Sequence, residues 1–381
     1  MSSEFTKILI LGGGFGGLAA ANELRNNLSD DVKITIVDKK DWFMMDLVKL
    51  WIIKGTRTFE LSKRPLNTVT KKGIDFVNEE VTKIDPKNNL VKTTSKEFLY
   101  DYLIISLGVE LAPEKIPGLS ENGFNLYDIK HVELIYERIR DFKSGKLAFA
   151  IMGMPYKCPP APFEAALIIN SVLKKQNVRN SVQIDFYSPA PITLPAAGPE
   201  VSQQVLDLLC KENINFHGSS KTVSVLPNKI KFENGEVEFD LLLAVPPHKV
   251  PETVVCSGFA KLGEFINVNR DCKTVYERVY AIGDVNNMLV TEKLAVPKAG
   301  IFAEGEGITV AQNIISKIRK EKESAIFDGK GGCFVEMGET AGYVEVDMFA
   351  QPNPITLLKP PSPEHMGEKE KFEKDRLEKW L

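Results

Sequence analysis

A glycine-rich turn near the amino terminus constrains this chain more than any other feature. The turn Gly12-Gly13-Gly14-Phe15-Gly16-Gly17 follows the short apolar run Lys7–Leu11 and opens a stretch with helical spacing. In a G-x-G-x-x-G turn, Gly12 permits the tight bend, Gly14 lets the backbone approach a pyrophosphate, and Gly17 allows close helix–strand packing. The free N–H groups and the dipole at the helix start favour an anion. The pattern predicts a dinucleotide-binding unit.

The residues after the second apolar run support that prediction. Asp38 follows Val32–Val37 and stands 21 positions after Gly17, where an acid bonds ribose hydroxyls. A glycine turn alone would support a dinucleotide-binding unit only weakly, but the order strand, turn, helix, strand and acid is specific for one. We also assign four further residues to the predicted cofactor site, namely Lys39, Val81, Leu107 and Gly108.

A second segment, far along the chain, points to a flavin. Val279–Asp284 resembles the second flavin motif of flavoproteins with two dinucleotide-binding domains, in which the Asp contacts the ribityl–phosphate region. The segment 295–307 then reads as a loop that feeds a helix whose amino terminus points at the flavin. A helix start or a lysine near the pyrimidine ring would stabilise reduced flavin. The predicted contacts here are Gly283, Asp284, Lys298, Ala299 and Gly300.

Length and alternation of elements predict an α/β fold with two Rossmann-like domains and a small carboxyl-terminal region, because 381 residues exceed one small core. We place the flavin domain at 1–112 and 260–325, the second module at 113–259, and the carboxyl-terminal region at 326–381. With 48 basic and 51 acidic residues, the net charge of −3 does not favour a nucleic-acid partner. We predict no metal site.

The chain shows no secretory pattern at its amino terminus and no run of about 18 apolar residues. We therefore expect a protein on the cytoplasmic side, either soluble or peripherally attached to a membrane. Five cysteines in so long a chain cannot form a stapling framework, so those that matter are redox or catalytic candidates.

The central module has lost its own nucleotide turn. The segment from Gly153 to Glu164 carries prolines in place of the glycines, and proline removes the N–H donors that a pyrophosphate needs. This argues against NAD(P)H as electron donor. Cys158 stands in that turn just before a helix, where we expect a lowered thiol pKa. Cys333 lies in the glycine-rich segment GKGGCFVEMG. From pattern alone, a functional cysteine and a small buried hydrophobe remain equal alternatives for both.

The segments GGGFGG, PYKCPPAPFE, AVPPHKVP, VYAIGDV, VPKAG and GGCFVEMG together resemble the sulfide:quinone oxidoreductase and flavocytochrome c sulfide dehydrogenase flavoproteins. The resemblance implies FAD as cofactor and a redox disulfide or polysulfide bridge between Cys158 and Cys333. It implies that hydrosulfide opens the bridge, leaving a persulfide on Cys158 and a thiolate on Cys333 that reduces the flavin. Glu164 matches a family carboxylate that accepts the proton of H2S; a dipole-favoured acid of the first helical turn is an equal alternative.

Three departures from the family leave alternatives open. The third cysteine of many quinone-reducing members is absent from FNLYDIKHVE, where Tyr127 lies nearby. The cysteine that attaches FAD covalently in flavocytochrome c is absent from DWFMMDLVKL, so FAD should be non-covalent, and there is no haem motif. The tail 364–381 is highly charged and reads as a solvated or partner-docking helix at least as well as a membrane anchor.

The electron acceptor follows from the resemblance as quinone, with a separate cytochrome as the alternative. The apolar loop MFAQPNPITLLKPP, with Phe349, Ile355, Leu357 and Leu358, is the better candidate for quinone or membrane contact. A type II NADH:quinone oxidoreductase and a non-catalytic flavoprotein redox sensor are the rival functions. The sequence leaves open the polysulfide length and whether the chain forms a homo-oligomer.

Overall fold

The computed structural model describes residues 5–381, so the first four residues of the predicted amino-terminal segment lie outside the described part. Ten α-helices occur within this range: α1 Phe15–Asn27, α2 Val48–Lys54, α3 Phe59–Ser62, α4 Leu119–Asn122, α5 Ile129–Asp141, α6 Ala161–Lys175, α7 Gly198–Lys211, α8 Glu252–Cys256, α9 Gly300–Ile318 and α10 Pro363–Trp380. Short 3₁₀ helices span Leu66–Lys72, Pro113–Lys115, Arg179–Ser181, Pro195–Ala197 and Gly283–Val285.

The same range contains 25 strands: β1 Thr6–Leu11, β2 Val32–Asp38, β3 Trp42–Phe43, β4 Arg64–Pro65, β5 Asp75–Asn78, β6 Val81–Asp85, β7 Leu90–Thr93, β8 Glu97–Leu99, β9 Tyr102–Ile105, β10 Glu110–Leu111, β11 Phe124–Asn125, β12 Gly145–Ile151, β13 Val182–Tyr187, β14 Ile214–His217, β15 Thr222–Leu226, β16 Lys229–Phe232, β17 Gly235–Glu238, β18 Leu241–Val245, β19 His248–Lys249, β20 Ile266–Val268, β21 Val279–Ala281, β22 Asn286–Met288, β23 Lys330–Glu336, β24 Ala341–Asp347 and β25 Ile355–Ser362.

The first parallel sheet has the order β21-β9-β1-β2-β5, so a strand from late in the chain completes a sheet built by the amino terminus. Its central strands β9 and β1 are buried and mostly apolar, as is typical of parallel strands covered on both faces, whereas the edge strand β5 is partly exposed. Helix α9 packs closely on α1. A Cβ at Gly307 of α9 would lie 2.5 Å from the carbonyl oxygen of Gly16 in α1, so only glycine fits there.

The second parallel sheet has the order β11-β18-β12-β13-β14. Helix α6 follows β12 through the proline-rich turn, in the position that the sequence predicted for it. Two parallel, helix-covered sheets confirm the prediction of an α/β fold with two Rossmann-like units. The domain boundaries near residues 112, 260 and 326 stay a prediction.

The carboxyl-terminal part is a three-stranded antiparallel sheet, β23-β24-β25, followed by α10. The Ser362 hydroxyl caps α10 by accepting the His365 N–H at 3.2 Å. The predicted helix of the tail therefore forms, but its expected solvation is wrong along one face, because Lys369 and Trp380 are 1% and 0% exposed. Within residues 5–381, no helix combines the length and apolar character needed to cross a bilayer.

Candidate dinucleotide and redox-cysteine site

One cleft of about 560 Å³ runs from the glycine turn after β1 to the sheet β23-β24-β25. It brings together elements that are hundreds of residues apart in the chain. Most of the residues that the sequence assigned to a site line its wall: Gly12, Gly14, Phe15, Gly16, Asp38, Lys39, Val81, Leu107, Gly108, Cys158, Glu164, Gly283, Asp284, Ala299, Gly300 and Cys333. Gly17 and Lys298 are the two exceptions.

The glycine turn has the geometry that its spacing predicts. Gly12 has φ +105°, and a Cβ there would lie 2.2 Å from the Ser106 carbonyl oxygen. A Cβ at Gly17 would lie 1.9 Å from the Gly12 carbonyl oxygen, so Gly17 serves packing behind the cleft. A Cβ at Gly14 would meet nothing within 4 Å, so the cleft is open where a phosphate would approach. The Asp38 carboxylate accepts the Gly13 N–H at 2.7 Å.

The second predicted cofactor segment is held by a buried carboxylate that the sequence did not reveal. Glu306 of α9 accepts the Gly283 N–H at 2.6 Å and the Asn286 amide at 2.7 Å. Burial raises the pKa of Glu306 to about 8. The Lys298 ammonium donates to the Asn286 carbonyl at 2.8 Å, and burial lowers its pKa to about 8. Lys298 therefore lies behind the cleft wall, in a small adjoining cavity beside Glu306.

Asp284 itself faces the cleft. Burial raises the pKa of its carboxyl, while the charges of Lys157 and Lys298 pull that pKa down. Asp284 lies just after the carboxyl end of β21 in the first parallel sheet. Gly300, the first residue of α9, lines the same cleft. A helix amino terminus binds anions, and a carboxylate such as Asp284 accepts hydrogen bonds from hydroxyl groups.

The loop that carries Cys158 is tied on both sides. The backbone N–H of Cys158 donates to the Lys298 carbonyl at 2.6 Å. The Tyr127 hydroxyl donates to the Lys157 carbonyl at 2.8 Å, and the Lys157 ammonium bonds Asp46 at 2.6 Å. Cys158 has φ +49°, a conformation uncommon outside glycine. The surrounding contacts therefore hold the thiol in one position on the cleft wall.

Cys333 reaches the same cleft from β23, where it is paired with Val344 of β24. Both cysteines are thiols in the structure. Burial raises the pKa of Cys158 well above its usual value and that of Cys333 to about 12. The pKa of the free Cys158 thiol is therefore raised, not lowered as expected, and burial is the largest cause. The other three cysteines lie elsewhere.

Glu164 sits in the first turn of α6 and is 4% exposed. Its Oε1 accepts the Glu336 N–H at 2.9 Å and the Lys369 ammonium at 2.7 Å. Burial raises its pKa and the Lys369 charge opposes that rise. The carboxylate thus lines the cleft with both cysteines, as the prediction requires, but it is also one half of an ion pair.

A chain of buried charges lies behind the cysteines. Lys369 also donates to Glu336 at 2.9 Å, and Glu336 accepts from Lys54 at 3.1 Å and from the Trp51 indole at 2.9 Å. Lys54 further bonds the Gly338 carbonyl. Glu336 and Lys369 are 0% and 1% exposed, so each charge depends on its partners.

Sequence reasoning missed the contribution of α10 to this site. Lys369 and Phe372 of α10 line the cleft, and Trp380 packs against Phe15 of the glycine turn with ring centroids 5.4 Å apart. The signal that could have found them is spacing. Lys369, Phe372, Arg376 and Trp380 are separated by three, four and four positions, which places them on one helix face.

These residues fit a dinucleotide. The cleft has room at Gly14, and the first residues of two helices, Phe15 of α1 and Gly300 of α9, line it and can offer N–H groups to phosphates. In DWFMMDLVKL the cleft wall carries Trp42, Phe43, Met44, Asp46, Leu47 and Lys49, without a thiol.

Comparisons with known proteins agree with this geometry. The pyridine nucleotide-disulphide oxidoreductase family matches residues 6–153. The sulfide-quinone reductase of Aquifex aeolicus (strain VF5) is 28% identical, with 98% of this chain and 90% of that protein covered. A crystal structure of the Aquifex aeolicus sulfide:quinone oxidoreductase superposes with a TM-score of 0.89 at 28% identity, over 98% of this chain and 91% of that one.

A mitochondrial sulfide:quinone oxidoreductase of Dictyostelium discoideum is 31% identical over 309 residues, covering 76% of this chain and 67% of that protein. This relative, the superposed structure and the cleft with its two cysteines all lead to one assignment. The chain belongs to the sulfide:quinone oxidoreductase family.

Proposed function

We propose that this protein oxidises sulfide to polysulfide or sulfur with FAD as cofactor and passes the electrons to quinone. The observation that carries the proposal is the shared cleft. Cys158 and Cys333, 175 positions apart in the chain, line one wall of a cleft whose other walls are the glycine turn and Asp284. The family supports a flavin, and the thiol-free DWFMMDLVKL segment supports non-covalent binding.

The chemistry that two cleft cysteines offer is thiol–disulfide exchange. When they are oxidised to a bridge, HS⁻ attacks the Cys158 sulfur, a new S–S bond forms, and the old one breaks. The products are a persulfide on Cys158 and a thiolate on Cys333. FAD held by the glycine turn and by Asp284 would supply a two-electron acceptor for the Cys333 thiolate, with quinone as the final acceptor. We assign to Glu164, which lines the same cleft, the role of accepting the proton that H2S loses to become HS⁻.

The nucleotide turn of the second unit supports an electron donor other than NAD(P)H. A Cβ at Gly153 would lie 2.6 Å from Pro247, so backbone already fills the space beside that glycine. Pro155, Pro159 and Pro160 offer no N–H donors in the same turn. A diphosphate there would lack the donors it needs.

An apolar edge near the carboxyl terminus supports contact with quinone or a membrane surface. Ile355 and Leu357 of β25 are 59% and 50% exposed and alternate along the strand, so both project to the same face. Leu358 points inward and is buried, and Phe349 is half-buried against Phe327. We therefore assign the Ile355–Leu357 edge, rather than α10, to this contact.

An anaerobic titration tests the proposed function. Sulfide added to the FAD-loaded protein should bleach the flavin absorbance, and a soluble quinone analogue should restore it. Cys158→Ser and Cys333→Ser should each slow bleaching by at least about a hundredfold, as loss of a nucleophile does. Cys210→Ser, at an exposed cysteine of α7, is the matched control and should behave as wild type.

The rival functions predict different outcomes of the same titration. Bleaching by NADH but not by sulfide would replace the proposal with a type II NADH:quinone oxidoreductase. Reoxidation by a cytochrome and not by any quinone would move the acceptor to the cytochrome. Bleaching by sulfide without turnover on either acceptor would leave a redox sensor. Cysteine variants that bleach as fast as wild type would overturn the bridge.

A further inference from the structure

We propose that Lys369, carried by the carboxyl-terminal helix α10, acts on Cys158 and Cys333 through its charge and stabilises their thiolate forms. The inference rests on the proposed function only for its place in turnover. The thiolates themselves are measurable without sulfide or quinone. Lys369 lines the cleft with both cysteines and is 1% exposed, so water does little to screen its ammonium.

The sulfur site needs such a cation. When the bridge opens, one sulfur leaves as a thiolate in a place where burial already raises the pKa of both thiols. Glu164 raises the pKa of each of them further, and Asp46 raises that of Cys158. Lys369 is the group whose charge lowers the pKa of both. Its removal would leave Cys333 facing a carboxylate without that compensation.

The charge of Lys369 is positioned by two carboxylates from two different elements. Glu164 of α6 and Glu336 of β23 accept from its ammonium at 2.7 Å and 2.9 Å. Glu336 is in turn shared with Lys54 and the Trp51 indole, both on α2. Two lysines and two glutamates sum to zero charge, so neutralising any one of them leaves this buried cluster with one unit of net charge.

Other charged and titratable groups lie near the two cysteines. Cys158 attracts the Lys157 ammonium, which Asp46 already holds at 2.6 Å. Tyr127 and Tyr156 are phenols whose pKa values burial raises, so they stay neutral. Near Cys333, burial likewise raises the pKa of Tyr343. Lys157 faces one cysteine, whereas Lys369 acts on the pair.

The test measures thiolate formation directly. The FAD-loaded protein is reduced anaerobically with a phosphine, treated with iodoacetamide from pH 7 to 10, and each cysteine peptide is followed by mass spectrometry. Only the thiolate reacts, and one pKa unit changes the rate below the pKa about tenfold. Exposed Cys210 is the internal rate standard, and buried Cys272 reports any opening of the protein.

A variant that removes the Lys369 charge and one that keeps it should differ in their rates of cysteine alkylation. Lys369→Met should slow alkylation of Cys333 and Cys158 by about tenfold or more at pH 8. Lys369→Arg should keep the rate within about threefold because the charge remains. The matched control is Lys374→Met on the same helix, since that lysine is 73% exposed, and it should leave the rate unchanged.

A second variant must act in the opposite direction. Glu336→Gln removes a negative charge and leaves Lys369 in place, so alkylation of Cys333 should become faster while Cys272 stays protected. A merely structural role would move both variants the same way. If Lys369→Met exposes Cys272, the Glu336→Gln result decides alone.

Several results overturn the inference. They are an unchanged rate in Lys369→Met with Cys272 protected, an equal loss in Lys369→Arg, and an unchanged or slower rate in Glu336→Gln. If the rates shift as expected but sulfide does not bleach the flavin, the inference stands and the proposed function fails. If sulfide turnover is confirmed but the alkylation rates do not shift, the proposed function stands and the inference about Lys369 fails.

Discussion

Truncating Trp380 to alanine should both destabilise the protein and weaken its hold on flavin. The indole is fully buried at the end of α10 and meets Phe15 and Phe43 edge-on, with ring centroids 5.4 Å and 6.0 Å away. Phe15 belongs to the glycine turn and lines the cleft. The helix end is also tied down from its backbone, because the Trp380 carbonyl accepts from Asn22 at 3.3 Å.

The magnitude follows from burial and from one polar atom. A tryptophan buries about 150–250 Å², worth about 4–6 kcal/mol at 25 cal/mol per Å², and core truncations of this kind cost about 3–5 kcal/mol. Within residues 5–381 the indole N–H has no hydrogen-bond partner, and removing such a buried donor offsets about 1–3 kcal/mol. The central values of that cost and that offset give an expected net loss of about 2 kcal/mol in the free energy of unfolding.

Two variants make this reasoning testable. Trp380→Phe keeps a ring against Phe15 and removes the unpaired N–H, so its unfolding free energy should lie within about 1 kcal/mol of wild type. Urea unfolding followed by circular dichroism gives the free energies, and flavin fluorescence titration gives the affinity. We expect Trp380→Ala to weaken flavin binding by about tenfold, or 1.4 kcal/mol. Lys374→Ala on the exposed face is the control. Equal stability and flavin affinity of Trp380→Ala and wild type would refute the coupling between α10 and the glycine turn.

Two further predictions follow from the cofactor segments. Gly17→Ala places a Cβ 1.9 Å from the Gly12 carbonyl oxygen, so the purified variant should contain little flavin by absorbance. The control is Gly367→Ala on α10, where a Cβ meets open space. This control should keep its flavin and gain about 0.5–1 kcal/mol in the free energy of unfolding. Glu306, whose pKa is raised to about 8 in the folded protein, keeps a proton that the unfolded chain loses near the usual glutamate pKa of 4.5. Stability should therefore fall as pH rises from 4.5 to 8. Glu306→Gln should remove this dependence of stability on pH. Urea unfolding at pH 5 and pH 8.5 gives the difference in unfolding free energy between the two pH values, and an equal difference in the variant and in wild type would contradict the prediction.

The cofactor half of the site was predictable because its chemistry is local. Tight turns and helix starts are fixed by neighbours in sequence, so Gly12 and Gly14 were predicted from spacing, and Asp284 from the resemblance of its segment to a flavin motif; all three line the cleft. Lys298 shows the limit of that approach. Its neighbours Ala299 and Gly300 line the cleft, but the Lys298 side chain donates to the Asn286 carbonyl and does not line it.

The redox half depends on contacts that spacing does not encode. The pairing of Cys158 with Cys333 came from family resemblance, and the structure places both on one cleft without testing the bridge. The lowered pKa expected of Cys158 failed because a helix start was visible in the sequence while the burial of the thiol was not. Desolvation depends on everything packed around a group, including segments that arrive late in the chain.

The charged tail is the clearest example, because its composition suggests water and its position is the protein interior. Two carboxylates, Glu164 and Glu336, are almost completely buried behind the cysteines, and Lys54 alone neutralises one charge. An unpaired buried carboxylate is strongly destabilising or takes up a proton. Docking of α10 supplies the missing cation through Lys369. Docking of the tail and the electrostatics of the sulfur site are therefore coupled, because the helix that covers this part of the cleft also supplies the cation that balances Glu164 and Glu336.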